Sequence, residues 1–152
     1  MRVIVRKGAA ADAPALAALR LRWHAEQGGA PIAHGRTYLD SFAAWISDHE
    51  STHLPFLAEV GDAVAGMAWL MIAERVPDPA RPLRLFGDVQ SVFVVPELRD
   101  VRVGAALLEV VLAEAGNRGL EHVTVHASER AVPFYRRGGF RHGRQWLSWR
   151  PE

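Results

Sequence analysis

The chain contains no cysteine, and of its 18 lysine and arginine residues only Lys7 is a lysine. The first absence removes disulfides, thiolate zinc sites and cysteine nucleophiles together. An excess of one charge is lacking as well. The 18 basic residues face 17 acidic ones, a formal net charge of +1, so there is no global electrostatic case for nucleic acid or a membrane surface. The opening MRVIVRKG is too short an apolar run for a secretion signal, and no stretch approaches the about 20 apolar residues of a membrane span. These absences predict a soluble, cytoplasmic protein without metal, nucleic-acid or membrane partners. What is present is ordinary for a globular chain: 152 residues, 49% hydrophobic and 23% charged, enough for a single domain over residues 1–152. Its cations are nearly all arginine, which suits bidentate contacts to phosphates and carboxylates, but a GC-rich coding bias is the simpler reading of that excess.

Periodicity divides the chain into short elements. Residues 2–6 alternate Val3 and Val5 against charged neighbours and predict a first strand. Asp12 is a candidate N-cap, and Pro14 fits the first turn of a helix to about His24 with Leu16, Leu19 and Trp23 on one face. Gly28, Gly29 and Pro31 break the pattern before a second helix over about 37–49, carrying Leu39, Phe42 and Ile46 together. Strands are expected over 54–60 and 63–73, joined by a Gly61-Asp62 hairpin turn. Gly66 inside the second signals a bulge or close backbone approach. The proline-rich stretch 74–84 reads as a surface loop, and 85–95 as the next strand. A helix over 103–115, a strand over 121–126, a helix over 129–137 and a closing strand over 145–149 complete the chain. The order β-α-α-β-β-β-α-β-α-β is a mixed α/β sheet. The unit from 85 to 126 is one βαβ crossover, whose two strands should be parallel neighbours.

The joint between residues 94 and 104, VVPELRDVRVG, turns a buried strand into a buried helix. A helix N-terminus leaves backbone N–H groups without intrahelical partners and is mildly positive. Such an elbow either is capped by its own side chains or holds an anion, and ligands in sheets of this kind gather at the carboxyl ends of the parallel strands.

Arg99-Asp100-Val101-Arg102-Val103-Gly104, followed by Ala106-Leu107-Leu108, resembles the acyl-CoA pyrophosphate loop Q/R-x-x-G-x-G/A of the GNAT superfamily of N-acetyltransferases. Arg102 stands where that pattern usually has its first glycine. Phosphates there are held mainly by backbone N–H groups, and a residue entering a helix is expected at negative φ, so arginine should be tolerated at this position. Downstream, Phe134-Tyr135 and Gly139-Phe140 match the aromatic–tyrosine pair and glycine–phenylalanine of the same superfamily, in the same order. The resemblance covers nearly the whole chain.

It implies a sheet whose two central parallel strands splay apart near residues 92–95 and 123–126. It also implies direct transfer of an acetyl group from acetyl-CoA to a primary amine in a ternary complex, without metal or covalent acyl-enzyme. Phe93 and Val94 would bond the pantetheine arm, and Val101, Arg102, Val103, Gly104 and Ala105 the pyrophosphate, with Arg99 as a further cation. Tyr135 would protonate the leaving thiolate. Asp88 stands where some relatives carry the general base, whereas Gln90, at another position often acidic, cannot serve. The first two helices would form much of the acceptor site, with Trp23, His24, Glu26, His34, Tyr38 and Trp45 as candidates. The acceptor is an amine-bearing small molecule or peptide, and a homodimer is compatible with the pattern. A non-catalytic acyl-CoA-binding or regulatory domain is the competing reading, against which Tyr135 argues. His122 and His126 lie about 13 Å apart along a strand and cannot share a metal ion.

Overall fold

The structure, a computed structural model, describes residues 2–152. Its elements run β1 (Val3–Lys7), α1 (Ala13–Glu26), α2 (Gly35–Asp48), β2 (His53–Val60), β3 (Ala63–Glu74), β4 (Leu85–Val94), α3 (Val103–Asn117), β5 (Val123–Val125) and α4 (Val132–Arg137). The five strands form one sheet in sequence order, antiparallel from β1 to β4 and parallel between β4 and β5. The mixed sheet and the βαβ crossover are therefore as the periodicity predicted.

Helices cover both faces. Against one, Phe56, Ala58, Leu70 and Val89 pack on Val103, Leu107, Leu108 and Val111 of α3 and Tyr135 of α4. On the other, Leu57, Met67, Trp69 and Phe93 meet Leu16 and Leu19 of α1 and Ile46 of α2. Double coverage explains why β2 and β3 read as nearly continuous apolar runs and not as alternating ones. Leu107 is wholly buried, and its truncation to alanine would cost about 2–5 kcal/mol. Gly66 fulfils both of its readings. The β2–β3 register shifts beside it, and a Cβ there would lie 2.6 Å from the Phe93 carbonyl oxygen, so only glycine lets β4 pair this closely.

Two local expectations changed on folding. Asp12 stands at the α1 N-cap, but its carboxylate does not cap that helix. It accepts from the Ala9 N–H at 2.8 Å and from Arg6 at 2.8 and 3.0 Å, and the Arg6 hydrogen bonds draw its pKa down. The closing strand over 145–149 does not form. The chain turns at Arg144–Gln145, the Trp146 N–H reaches the Gly143 carbonyl at 3.3 Å, and the indole folds over Gly143. That turn occupies the residues with which a strand would begin.

Candidate active site

β4 is built to part from its neighbour. Its register with β3 passes from Trp69–Gln90 to Met67–Phe93, so Ala68 faces both Ser91 and Val92 across a β-bulge. Ser91 sits at φ 54°, a left-handed conformation that costs a non-glycine residue about 1–2 kcal/mol. An extra residue shifts the alternation of side chains. Gln90 before the bulge and Phe93 after it both belong to the α1–α2 face, while Val89, Val92 and Val94 pack toward α3. Pairing with β5 spans Gly87–Val123 to Val89–Val125 and stops there. Beyond it β4 runs on to Val94, held only by β3. The parting thus begins at Gln90, two residues earlier than expected, where β5 ends at Val125 and just before the bulge.

On the α1–α2 face, the bulge forms the floor of a cleft of about 310 Å³. Its walls are Tyr38, Phe42 and Trp45 of α2 with Trp69 of β3, and Arg20, His53, Gln90 and Ser91 supply polar groups. Arg20 donates to the Ser91 hydroxyl at 2.6 Å and lies over the Trp23 ring at 5.5 Å. His53 accepts from or donates to the Thr52 hydroxyl at 2.9 Å through Nδ1. Burial, and then the neighbouring His49, push its pKa down, so its imidazole is neutral at pH 7. Asp88, two residues before Gln90 on β4, is not part of the cleft lining. One of its oxygens accepts from Thr124 at 2.6 Å and the other from Gln90 at 3.1 Å, which fixes the carboxylate between β4 and β5.

On the opposite face, α4 packs on the start of α3. Phe134 lies against Gly104, where a Cβ would sit 3.3 Å from the ring. Tyr135 is nearly buried, edge-on to Phe134 and Phe140 with centroids 5.0 and 5.5 Å away. Burial raises the pKa of its hydroxyl, which is protonated at neutral pH. No side-chain oxygen or nitrogen among the described residues is buried without a partner, and no protein group bonds the Tyr135 hydroxyl, so that hydroxyl is open to solvent.

The elbow leads from β4 to α3. Asp100 and Arg102 adopt φ of 67° and 69°, and Arg102 is the α3 N-cap. The expected negative φ at Arg102 is thus wrong: the residue precedes the first helical turn and takes the left-handed conformation that glycine adopts at no steric cost. No side chain caps the helix, whose first backbone bond is Ala106 N–H to the Arg102 carbonyl at 3.0 Å. Among the described residues the N–H groups of Val103, Gly104 and Ala105 have no protein acceptor. Left-handed residues beside free amides make the kind of concavity that holds anions. Arg99 is occupied elsewhere. It pairs with Glu26 at 2.8 Å, donates to the Val94 carbonyl at 3.0 Å and covers the Phe93 ring at 5.5 Å. A second pair, Arg22–Glu97, ties the same elbow to α1.

The profile of the acetyltransferase (GNAT) domain matches residues 24–145. The chain belongs to the GNAT acetyltransferase family. It is 35% identical over 83 residues to a glucosamine 6-phosphate N-acetyltransferase of Trypanosoma brucei brucei, a match covering 54% of each chain. The chain thus spans about half the length of the curated relative it matches. In fold it is similar to a predicted acetyltransferase with acetyl-CoA from Clostridium acetobutylicum, at TM-score 0.75 and 19% identity, covering 98% of this chain and 96% of that one. It is equally similar to glucosamine-6-phosphate N-acetyltransferase from Arabidopsis thaliana, at TM-score 0.75 and 17% identity over 100% of both chains.

Within the GNAT fold the residues singled out from the sequence divide. Tyr38 and Trp45 line the cleft, whereas Trp23 stacks on Phe93 at 5.6 Å, His24 bonds the Ala30 carbonyl, Glu26 holds Arg99 and His34 precedes α2. Arg20, Phe42, His53, Trp69 and Ser91 were missed. They come from α1, α2, β2, β3 and β4, and no local spacing joins them. Among the described residues no group of three or more His, Cys, Asp or Glu could hold a metal ion, and no helix is long and apolar enough to cross a membrane.

Proposed function

We propose that this chain is an acetyl-CoA-dependent N-acetyltransferase acting in the cytoplasm, which moves an acetyl group to a primary amine directly in a ternary complex. The observation that carries the reading is a coincidence in β4. The bulge at Ser91, the end of the β4–β5 ladder and an uncapped α3 N-terminus all lie along one continuous stretch of chain. An acyl-CoA laid along β4 would meet unpaired strand edge at Gln90–Val94 and free amides at Val103–Ala105. Acetyl-CoA supplies the activated acetyl group as a thioester.

The chain's own residues do the rest. Backbone of Phe93 and Val94 holds the pantetheine arm as an added strand. The elbow amides from Val101 to Ala105 hold the pyrophosphate, with Arg102 as a nearby cation and Arg99 fixing the elbow through Glu26. The amine enters through the aromatic cleft and reaches the thioester carbonyl at the bulge. A lysine-like amine has a pKa of about 10.4 and must lose a proton before attack. Asp88, directly or through water, takes that proton. As the C–N bond forms and the C–S bond breaks, Tyr135 gives its proton to the departing sulfur.

The cleft suits a small amine in volume, and glucosamine 6-phosphate is the first acceptor to try. The Trypanosoma brucei brucei relative carries that name, and Arg20 is the one permanent cation of the lining. The test is titration of the protein with acetyl-CoA, followed by thiol release over a panel of amines that includes glucosamine 6-phosphate. Saturable binding with amine-dependent thiol release supports the reading. Binding with no release for any amine points instead to an acyl-CoA sensor, and no binding removes both.

A further inference from the structure

α2 keeps most of its aromatic surface out of the core. Ile46 is its one fully buried side chain, whereas Tyr38, Phe42 and Trp45, which follow one another at helical spacing, stay incompletely covered and line the cleft. The rings are ordered among themselves. Phe42 stacks on Tyr38 with centroids 5.5 Å apart and on Trp45 at 6.3 Å, and Trp45 meets Trp69 of β3 at 5.9 Å and 64°. A wall of this kind offers both faces and edges to one further ring, the two arrangements that aromatic pairs prefer. The cleft volume of about 310 Å³ suits a small ligand.

The polar side of the cleft carries one permanent charge. Arg20 reaches the floor from α1, donating to the Ser91 hydroxyl at 2.6 Å while its guanidinium lies over the Trp23 ring at 5.5 Å. That bond occupies one of the five N–H groups of a guanidinium. Among the described residues no carboxylate pairs with Arg20, and none lines the cleft. Arg22 and Arg99, the neighbouring cations of α1 and the elbow, are both paired with glutamates. A half-buried arginine held from two sides and left without a counter-ion is a place for an anion. The same lining gives a second ammonium nothing to pair with, so a polyamine or a lysine-rich peptide fits it poorly.

We infer that the acceptor is an aromatic α-amino acid, with its carboxylate on Arg20 and its ring against Tyr38, Phe42 and Trp45. The inference rests on the proposed function, in which the amine meets the thioester at the Ser91 bulge. Arg20 is bonded to that same serine, so an anion it holds lies close to the reacting nitrogen. An α-amino acid carries its carboxylate on the carbon that bears the amine. Glucosamine 6-phosphate carries its phosphate across the sugar ring from the amine and does not bring both to the bulge. The guanidinium also acts on the nitrogen: a cation beside an amine disfavours the ammonium form and favours the free base that attacks. The C–N bond forms as the C–S bond breaks, one amine proton leaves to Asp88 and the sulfur receives one from Tyr135. The products are the N-acetylated amino acid and CoA as its thiol.

The test compares thiol release by the full chain, at saturating acetyl-CoA, for phenylalanine, phenylalaninamide, glucosamine 6-phosphate and spermidine. Phenylalaninamide keeps the ring and the amine and lacks only the anionic charge. The parent should favour phenylalanine over each of the others by about tenfold or more in kcat/KM, as a hydrogen bond to a charged group implies. Arg20→Gln should bring phenylalanine down to the level of its amide. Trp45→Ala, at a ring already 36% exposed, should raise KM for phenylalanine several-fold with acetyl-CoA affinity unchanged. Equal rates for phenylalanine and its amide overturn the inference, as does a preference that Arg20→Gln leaves intact. Transfer to glucosamine 6-phosphate or spermidine ahead of phenylalanine also overturns it, and leaves the transferase standing. Acetyl-CoA binding without thiol release for any amine overturns this inference and the proposed function together.

Discussion

Arg20 donates a 2.6 Å hydrogen bond to the hydroxyl of Ser91, whose backbone is left-handed at φ 54°. A cation on α1 thereby holds the one residue of β4 that bends the strand away from β5. Removing the Arg20 side chain frees the bulge and takes a cation from the cleft. Arg20→Ala should lower kcat/KM for the acceptor about 10- to 100-fold while acetyl-CoA affinity changes little. Ser91→Gly keeps the backbone conformation without strain and should leave stability equal or higher. Thermal melts and steady-state kinetics check both. An Arg20→Ala enzyme with unchanged kinetics would show that the bulge holds its own shape.

Arg102 offers a second test of strain. Glycine would remove the steric cost of φ 69° at the α3 N-cap, about 1–2 kcal/mol, against about 0.5–1 kcal/mol of extra chain entropy in the unfolded state. Arg102→Gly should therefore raise stability by about 0.5–1 kcal/mol, or roughly 2–4 °C in Tm at the upper end for a domain of this size. If the Arg102 guanidinium contributes to the proposed phosphate site, acetyl-CoA affinity should fall in the same variant. A lower Tm would mean that the arginine side chain makes a compensating contact.

Gly104 faces the Phe134 ring and the Val94 side chain, so bulk at this position meets α4 first. Alanine asks the ring to shift by a few tenths of an ångström, whereas leucine overpacks the joint, at a cost of about 1–3 kcal/mol. Gly104→Leu should lower both Tm and acetyl-CoA affinity, and Phe134→Ala in that background should recover part of both. Calorimetric titration and melting curves read the two effects. Full affinity in Gly104→Leu would place the phosphate site elsewhere.

Asp88 is held by Thr124 and Gln90, with both carboxylate oxygens accepting hydrogen bonds. If it takes the amine proton, Asp88→Asn should lower the rate most near neutral pH and least at high pH, where free amine is abundant. A pH–rate profile checks this. The same loss at every pH would mark Asp88 as an anchor between β4 and β5 only.

How far the sequence reached depended on whether a signal was local. The Val3–Val5 alternation, the Gly61-Asp62 turn and the helix over 103–115 are each local signals, and each formed. The parting of β4 from β5 was legible only through resemblance, and its position was not. The bulge residue is a lone serine inside a strand-like run, a far weaker signal than glycine, whereas Gly66 on β3 did announce the neighbouring irregularity. The cleft was half legible. Tyr38 and Trp45 share α2, but Arg20, His53 and Trp69 meet them only through the packing of α1 and α2 across the sheet. At 145–149 the expected strand did not form, and the chain instead turns back at Gly143–Trp146, a tertiary outcome that alternation alone does not report.

Acetyl transfer at the opening of β4 from β5 is proposed to use the Tyr135 hydroxyl as its acid. Tyr135→Phe keeps the ring against Phe134 and Phe140 and removes only the hydroxyl oxygen. The decisive measurement is amine-dependent thiol release by parent and Tyr135→Phe, under conditions where chemistry limits turnover. With Tyr135 as the acid, kcat falls about 10- to 100-fold while Tm and acetyl-CoA affinity hold. An unchanged kcat takes the acid role away from Tyr135.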